Sequence, residues 1–60
     1  MKFITNWELH SGRISGRVYG DNRWDNGTRI TTSVVLAIRR EDGEWVAYTT
    51  NHSRYLLVTA

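Results

Sequence analysis

At 60 residues the chain has room for one domain, with a net charge of +2 and no Cys. A chain this short buries only about 60% of the surface its unfolded form exposes, so its fold is marginal alone and leaves little room for enzyme machinery. Lack of Cys excludes a disulfide framework and a thiolate zinc site, and the slight positive charge falls short of the basic stripe of a dedicated DNA-binding domain.

Residues 3 to 9 alternate, with Phe3, Thr5, Trp7 and Leu9 on one side and Ile4, Asn6, Glu8 and His10 on the other. Period-two alternation predicts a half-buried strand. Ser11-Gly12 is a turn. A second strand follows over residues 13–19, with Ile14, Gly16 and Val18 inward and Arg13, Ser15, Arg17 and Tyr19 outward. Gly16 inside a strand signals a bend, a bulge or the close approach of another backbone. Residues 20–27 form the longest loop, rich in Gly, Asn and Asp that build turns, with Trp24 the odd residue in its middle.

From Thr28 on, Val, Ile, Thr, Tyr and Trp dominate, types that suit a pleated, half-buried surface. A third strand is predicted over 28–40, with Ile30, Thr32, Val34, Leu36 and Ile38 on one face. The Glu41-Asp42-Gly43 turn then sets the register of the fourth strand. A two-residue Asp42-Gly43 turn pairs Ile38 with Ala47 and puts Val46 beside Arg39. A three-residue loop with a bulged Gly43 pairs Ile38 with Val46 and Leu36 with Tyr48, matching like with like, and is the expected form. It sets Arg39 opposite Trp45 in a cation–π contact. After a turn at Asn51-His52-Ser53, the last strand spans 54–59, with Tyr55 and Leu57 toward the core. Val35, Ala37, Ala47, Leu56 and Val58 fall on the outer face, apolar enough to call for sheet curvature or a second subunit.

The expected fold is therefore all-β, one small domain over residues 1–60. It is either a strongly bent five-stranded antiparallel sheet or a partly open barrel of the SH3-like kind. The only place for helix is a single turn within 20–27.

Catalysis is disfavoured. His10 and His52 sit beside Ser11 and Ser53 at turns, and neighbours on a strand face opposite ways. Glu41, Asp42 and Glu44 share an exposed hairpin tip, where paired carboxylates lack the shielding that separates their pKa values. Asp21, Asn22, Asp25 and Asn26 do not follow calcium-loop spacing and no Glu closes the set, so they read as turn residues and no cofactor is expected.

Binding is favoured. Arg17, Tyr19, Arg23, Trp24 and Arg29, with Arg13 beside them, interleave guanidiniums and aromatic rings. Small β-barrels bind nucleotides and single strands by stacking bases on aromatics and neutralising phosphate with Arg. The five are the expected ligand-binding residues, and the ligand class is a nucleotide-like signal or a nucleic-acid strand. The outer apolar set points to a homo-oligomer, and alternatively to docking on a host protein as an inhibitor. No apolar run approaches membrane-spanning length and no signal-peptide pattern is present, so the expected location is the cytoplasm. Asn26-Gly27-Thr28 and Asn51-His52-Ser53 match the glycosylation acceptor pattern and read as turns.

Trp7-Glu8-Leu9, then Ile14-Ser15-Gly16-Arg17-Val18-Tyr19-Gly20, then Asn26-Gly27-Thr28-Arg29-Ile30-Thr31-Thr32-Ser33-Val34 resemble short uncharacterised proteins of phages and prophages. The resemblance spans roughly half the chain and carries no site motif. It implies an accessory protein of a mobile element, acting by binding in the host cytoplasm.

Overall fold

The computed structural model describes residues 1–59. The described residues form six strands and no helix: β1 Phe3–His10, β2 Arg13–Tyr19, β3 Thr28–Thr31, β4 Val35–Glu41, β5 Glu44–Thr49 and β6 Arg54–Leu57. They make one open sheet in the order β3-β2-β1-β6-β5-β4. Two antiparallel meanders, β1–β3 and β4–β6, meet at its centre, where β1 and β6 run parallel through Phe3↔Leu56 and Ile4↔Leu57. The expected five-stranded, wholly antiparallel sheet is thus corrected on both counts. No helix among the described residues is long and apolar enough to cross a membrane.

The extra strand arises because the predicted strand over 28–40 breaks. Thr32 is buried, its N–H donates to the Ile14 carbonyl at 2.8 Å, and its Oγ1 accepts from Ile14 N–H at 3.1 Å. The Val35 N–H then donates to the Gly12 carbonyl at 2.7 Å, and Thr50 N–H donates to the Val34 carbonyl at 2.9 Å. The Ile14 N–H of β2 thus goes to the Thr32 side chain, and the backbone at 34–35 bonds to the β1–β2 turn and to Thr50 just past β5, so the β2–β3 ladder ends there. Val34, Leu36 and Ile38, expected on the core face with Ile30, are exposed instead.

The β4–β5 hairpin corrects the register. Ile38 pairs with Ala47, Arg39 with Val46 and Arg40 with Trp45, through a two-residue turn at Asp42-Gly43 rather than a bulged loop. Both turn residues have positive φ, 50° at Asp42 and 80° at Gly43. Two consecutive left-handed residues make the turn whose twist matches the strands, and that preference outweighs the matching of like side chains. The one-residue slip exchanges faces along β5. Ala47, expected outside, joins the core. Val46 shares the outer side with Leu56 by register, though it too is buried. Arg40, not Arg39, lies over the Trp45 ring, 5.1 Å from its centroid.

Gly43 isolates a backbone effect, because a Cβ added there would meet nothing within 4 Å. Gly43→Ala is expected to cost about 1–2 kcal/mol from the left-handed conformation alone. A loss below a few tenths in urea titration would mean that the turn relaxes to another form.

The core cluster contains Ile4, Ile14, Val18, Ile30, Ala47, Tyr55 and Leu57, with Trp7 and Val35 packed against it. Strand β1 departs from strict alternation. Its register against β2 shifts between Thr5 and Glu8, and Asn6 has φ 50°. This bulge lets Ile4 and Trp7, three positions apart, both reach the core. Gly16 lies against it, as a close backbone approach requires. The last strand ends at Leu57 rather than Thr59, although Val58 N–H still donates to the Ile4 carbonyl at 2.9 Å.

Candidate functional site

Each bridge in the sheet places two side chains on the same side, so the register maps the outer face. There Arg17 stands directly opposite Arg29 of β3, and Tyr19 opposite Phe3 of β1. The Phe3 and Tyr19 rings stack, 5.0 Å between centroids and 11° between planes. Arg17 Nη1 donates to the Gly27 carbonyl at 3.0 Å, which steadies its stem, and both Arg17 and Arg29 are exposed. Ser15 and Thr31 share this face two residues further along, their hydroxyls 3.1 Å apart.

Like charges directly opposite on adjacent strands disfavour the fold unless something neutralises them. Among the described residues the ion pairs join Arg23 to Asp21 and Arg54 to Glu41, so neither Arg17 nor Arg29 has a carboxylate partner. On β1–β3 the acid on this side is Glu8, and its partner in the ladder is Ser15. The β2–β3 pair therefore offers two forked cations beside a stacked aromatic pair, chemistry suited to phosphate next to a planar ring.

The remaining two expected ligand residues lie elsewhere. Asp21 is buried and its carboxylate gathers four donors: Arg23 N–H at 3.0 Å and Nε at 3.1 Å on Oδ1, Arg23 Nη2 at 2.8 Å and the Tyr55 hydroxyl at 3.1 Å on Oδ2. Arg23 Nη2 also donates to Tyr55 Oη at 2.8 Å. Trp24 lies under the Arg23 guanidinium, 4.5 Å from its ring centroid, and Trp24 N–H closes a turn onto the Asp21 carbonyl at 3.2 Å. Arg23 and Trp24 are thus tied through Asp21 to Tyr55 of the core, while Arg17, Tyr19 and Arg29 form the outer group. Arg23's hydrogen bonds hold the Asp21 carboxyl far below the usual carboxylate range, against the burial that opposes ionisation.

Phe3 is the member of the outer group that sequence reasoning missed. The Ser11-Gly12 turn pairs His10 with Arg13, and an unbroken ladder from there would put Gly20 opposite Phe3; the bulge moves Tyr19 into that place. The signal lay in Asn6, a residue tolerant of positive φ, but nothing in the sequence demanded that it bulge.

A second outer cluster occupies β4–β6. The Tyr48 hydroxyl donates to Glu41 Oε2, and Arg54 Nη2 donates to Glu41 Oε1 at 3.0 Å. Those bonds, Tyr48's first, lower the Glu41 pKa. Leu36, Ala37, Arg39 and Tyr48 line a shallow hollow of about 450 Å³ beside it. A second hollow of about 490 Å³ opens by the β1 bulge, lined by Thr5, Asn6, Trp7, Val58 and Thr59. His10 and His52 are exposed at separate turns.

In comparisons with known proteins, no family model, no curated protein and no solved structure matches the chain.

Proposed function

We propose that this chain is a non-enzymatic binding module that takes a phosphate-bearing ligand, a nucleotide-like signal or a nucleic-acid strand, on the outer face of β1–β3. The observation that carries the reading is the Arg17–Arg29 pair, directly opposed, without a carboxylate partner, beside the Phe3–Tyr19 stack. A phosphate between the two guanidiniums relieves their repulsion, and the aromatic pair supplies a ring face for a base. Arg23 and Trp24 hold the loop in place rather than meet the ligand. The phage resemblance suits an accessory protein working in a host's cytoplasm, as a homo-oligomer. A single buried cluster on the inner side of the sheet suits a partly open barrel of the SH3-like kind.

Calorimetric titration with nucleotides and short oligonucleotides tests the reading. Arg17→Ala and Arg29→Ala are each expected to weaken binding about tenfold and to flatten its dependence on salt, since each removes a phosphate contact. Arg23→Ala is expected to lower stability before it alters affinity. Binding that is absent at modest salt, or indifferent to Arg17 and Arg29, overturns the proposal.

One observation favours the alternative of docking on a host protein. Leu36 is 69% exposed on edge strand β4, whose outer backbone groups have no neighbouring strand. Association through that edge would persist at high salt, where phosphate binding fades.

A further inference from the structure

We infer that the ligand of this face is a single-stranded nucleic acid laid across the β-strands, not an isolated nucleotide, an inference that rests on the phosphate-binding reading above. The register sets Tyr19, Phe3, Leu56, Val46 and Arg39 in one row on the outer side, crossing from β2 through β1, β6 and β5 to β4. Its near end is the aromatic stack, with Arg17 and Arg29 one outward position along. Its middle is apolar, with Leu56 half-buried and Val46 buried. Its far end is Arg39, exposed and in no ion pair among the described residues, although its charge acts on Glu41 two residues along.

Neighbouring strands lie about 4.8 Å apart, so the five steps from Arg29 on β3 to Arg39 on β4 span about 24 Å along the sheet. One nucleotide cannot touch both ends. A strand of about four nucleotides can, and that length is at the low end of small-barrel site sizes. Glu41 meets Tyr48 and Arg54 across the Arg39–Val46 rung, where Arg54 offsets its charge, Glu44 sits opposite it at the hairpin tip, and Glu8 lies beyond Arg17 opposite Ser15. The path is cationic at each end, with ring and apolar surface at Tyr19, Phe3 and Leu56, which fits a flexible strand with bases turned to the protein. Paired bases in a duplex could not stack there.

Fluorescence anisotropy with labelled oligothymidylates of one to eight nucleotides tests this, with an unlabelled polyphosphate of matched charge and a duplex as competitors. Affinity is expected to rise about tenfold or more up to about four nucleotides and then level, the increment one or two stacked bases provide. Arg39→Ala is expected to weaken the tetranucleotide several-fold and leave the mononucleotide unchanged, whereas Arg17→Ala weakens both; circular dichroism confirms that each variant folds. Equal affinity for all lengths, no effect of Arg39→Ala, or equal competition by polyphosphate or duplex overturns the single-strand inference while leaving the phosphate-binding reading standing. No binding of any probe overturns both.

Discussion

Asp21→Asn is expected to remove a large share of this protein's stability. Asp21 lies in a loop, yet its side chain is only 5% exposed and it accepts from Arg23 three times and from the Tyr55 hydroxyl. The contact joins the 20–27 loop to β6, thirty-four residues away along the chain. Asn keeps the shape but brings an amide donor against groups that already donate, and it leaves Arg23 without its counter-charge. Losing hydrogen bonds to a buried charge costs about 2–4 kcal/mol, the lower end applying here because Arg23 is half exposed. A chain of this length holds about 3–9 kcal/mol in all. The unfolding midpoint should therefore fall by about 8–16 °C, at about 4–8 °C per kcal/mol for a small domain. Thermal melts followed by circular dichroism measure this, with Arg17→Ala as the surface control.

The same contact sets the acid limb of the stability curve. Asp21 binds its proton far more weakly folded than unfolded, so its contribution is complete above about pH 4, the ordinary carboxylate value, and fades as pH falls below it. Burial raises the Tyr55 pKa above its ordinary 10.0, so that contribution is complete below about pH 10 and fades as pH rises further. Asp21→Asn should flatten the acid side of the curve. An acid limb of unchanged slope in the variant would show that another carboxylate governs it.

Gly16→Ala is expected to be the second most damaging small change. An added Cβ would stand 2.5 Å from Ile4 Cγ2, 2.8 Å from the Thr5 carbonyl oxygen and 3.1 Å from Trp7 Cα. Two of these are backbone atoms at the β1 bulge, and Ile4 is fully buried, so nothing nearby can yield. Overpacking of this kind costs about 1–3 kcal/mol, and the upper end applies where backbone must shift. The comparison with Gly43→Ala is informative, since that site has free space and only a conformational cost. If Gly16→Ala melts within a degree or two of the parent protein, the bulge does not press on β2 as described.

The elements legible in the sequence were those whose pattern is local. The inward set Ile14, Gly16 and Val18 of β2 is buried as its alternation predicts, and so are Tyr55 and Leu57 of β6. Features decided by contacts distant along the chain were not legible. Thr32 looks like any strand residue until Ile14 offers it both a donor and an acceptor. The parallel β1–β6 pair joins segments that no short-range pattern connects. At Asp42-Gly43 the sequence held both registers, and matching side chains was the wrong criterion because turn twist was the stronger constraint. For the candidate site, Arg17 and Arg29 were readable as outward residues, but their opposition depended on the β2–β3 register. Arg23 and Trp24 were readable as loop residues, but nothing local reveals that Asp21 ties them to Tyr55.

Joining the first strand to the last has a kinetic consequence. Each three-strand meander can form from near neighbours, but the seam between them closes only when Phe3 and Ile4 find Leu56 and Leu57. That step is the longest loop closure in the molecule, and non-local pairing of this kind slows folding. On the ribosome the first meander would wait, its β1 flank uncovered, until the sixth strand emerged.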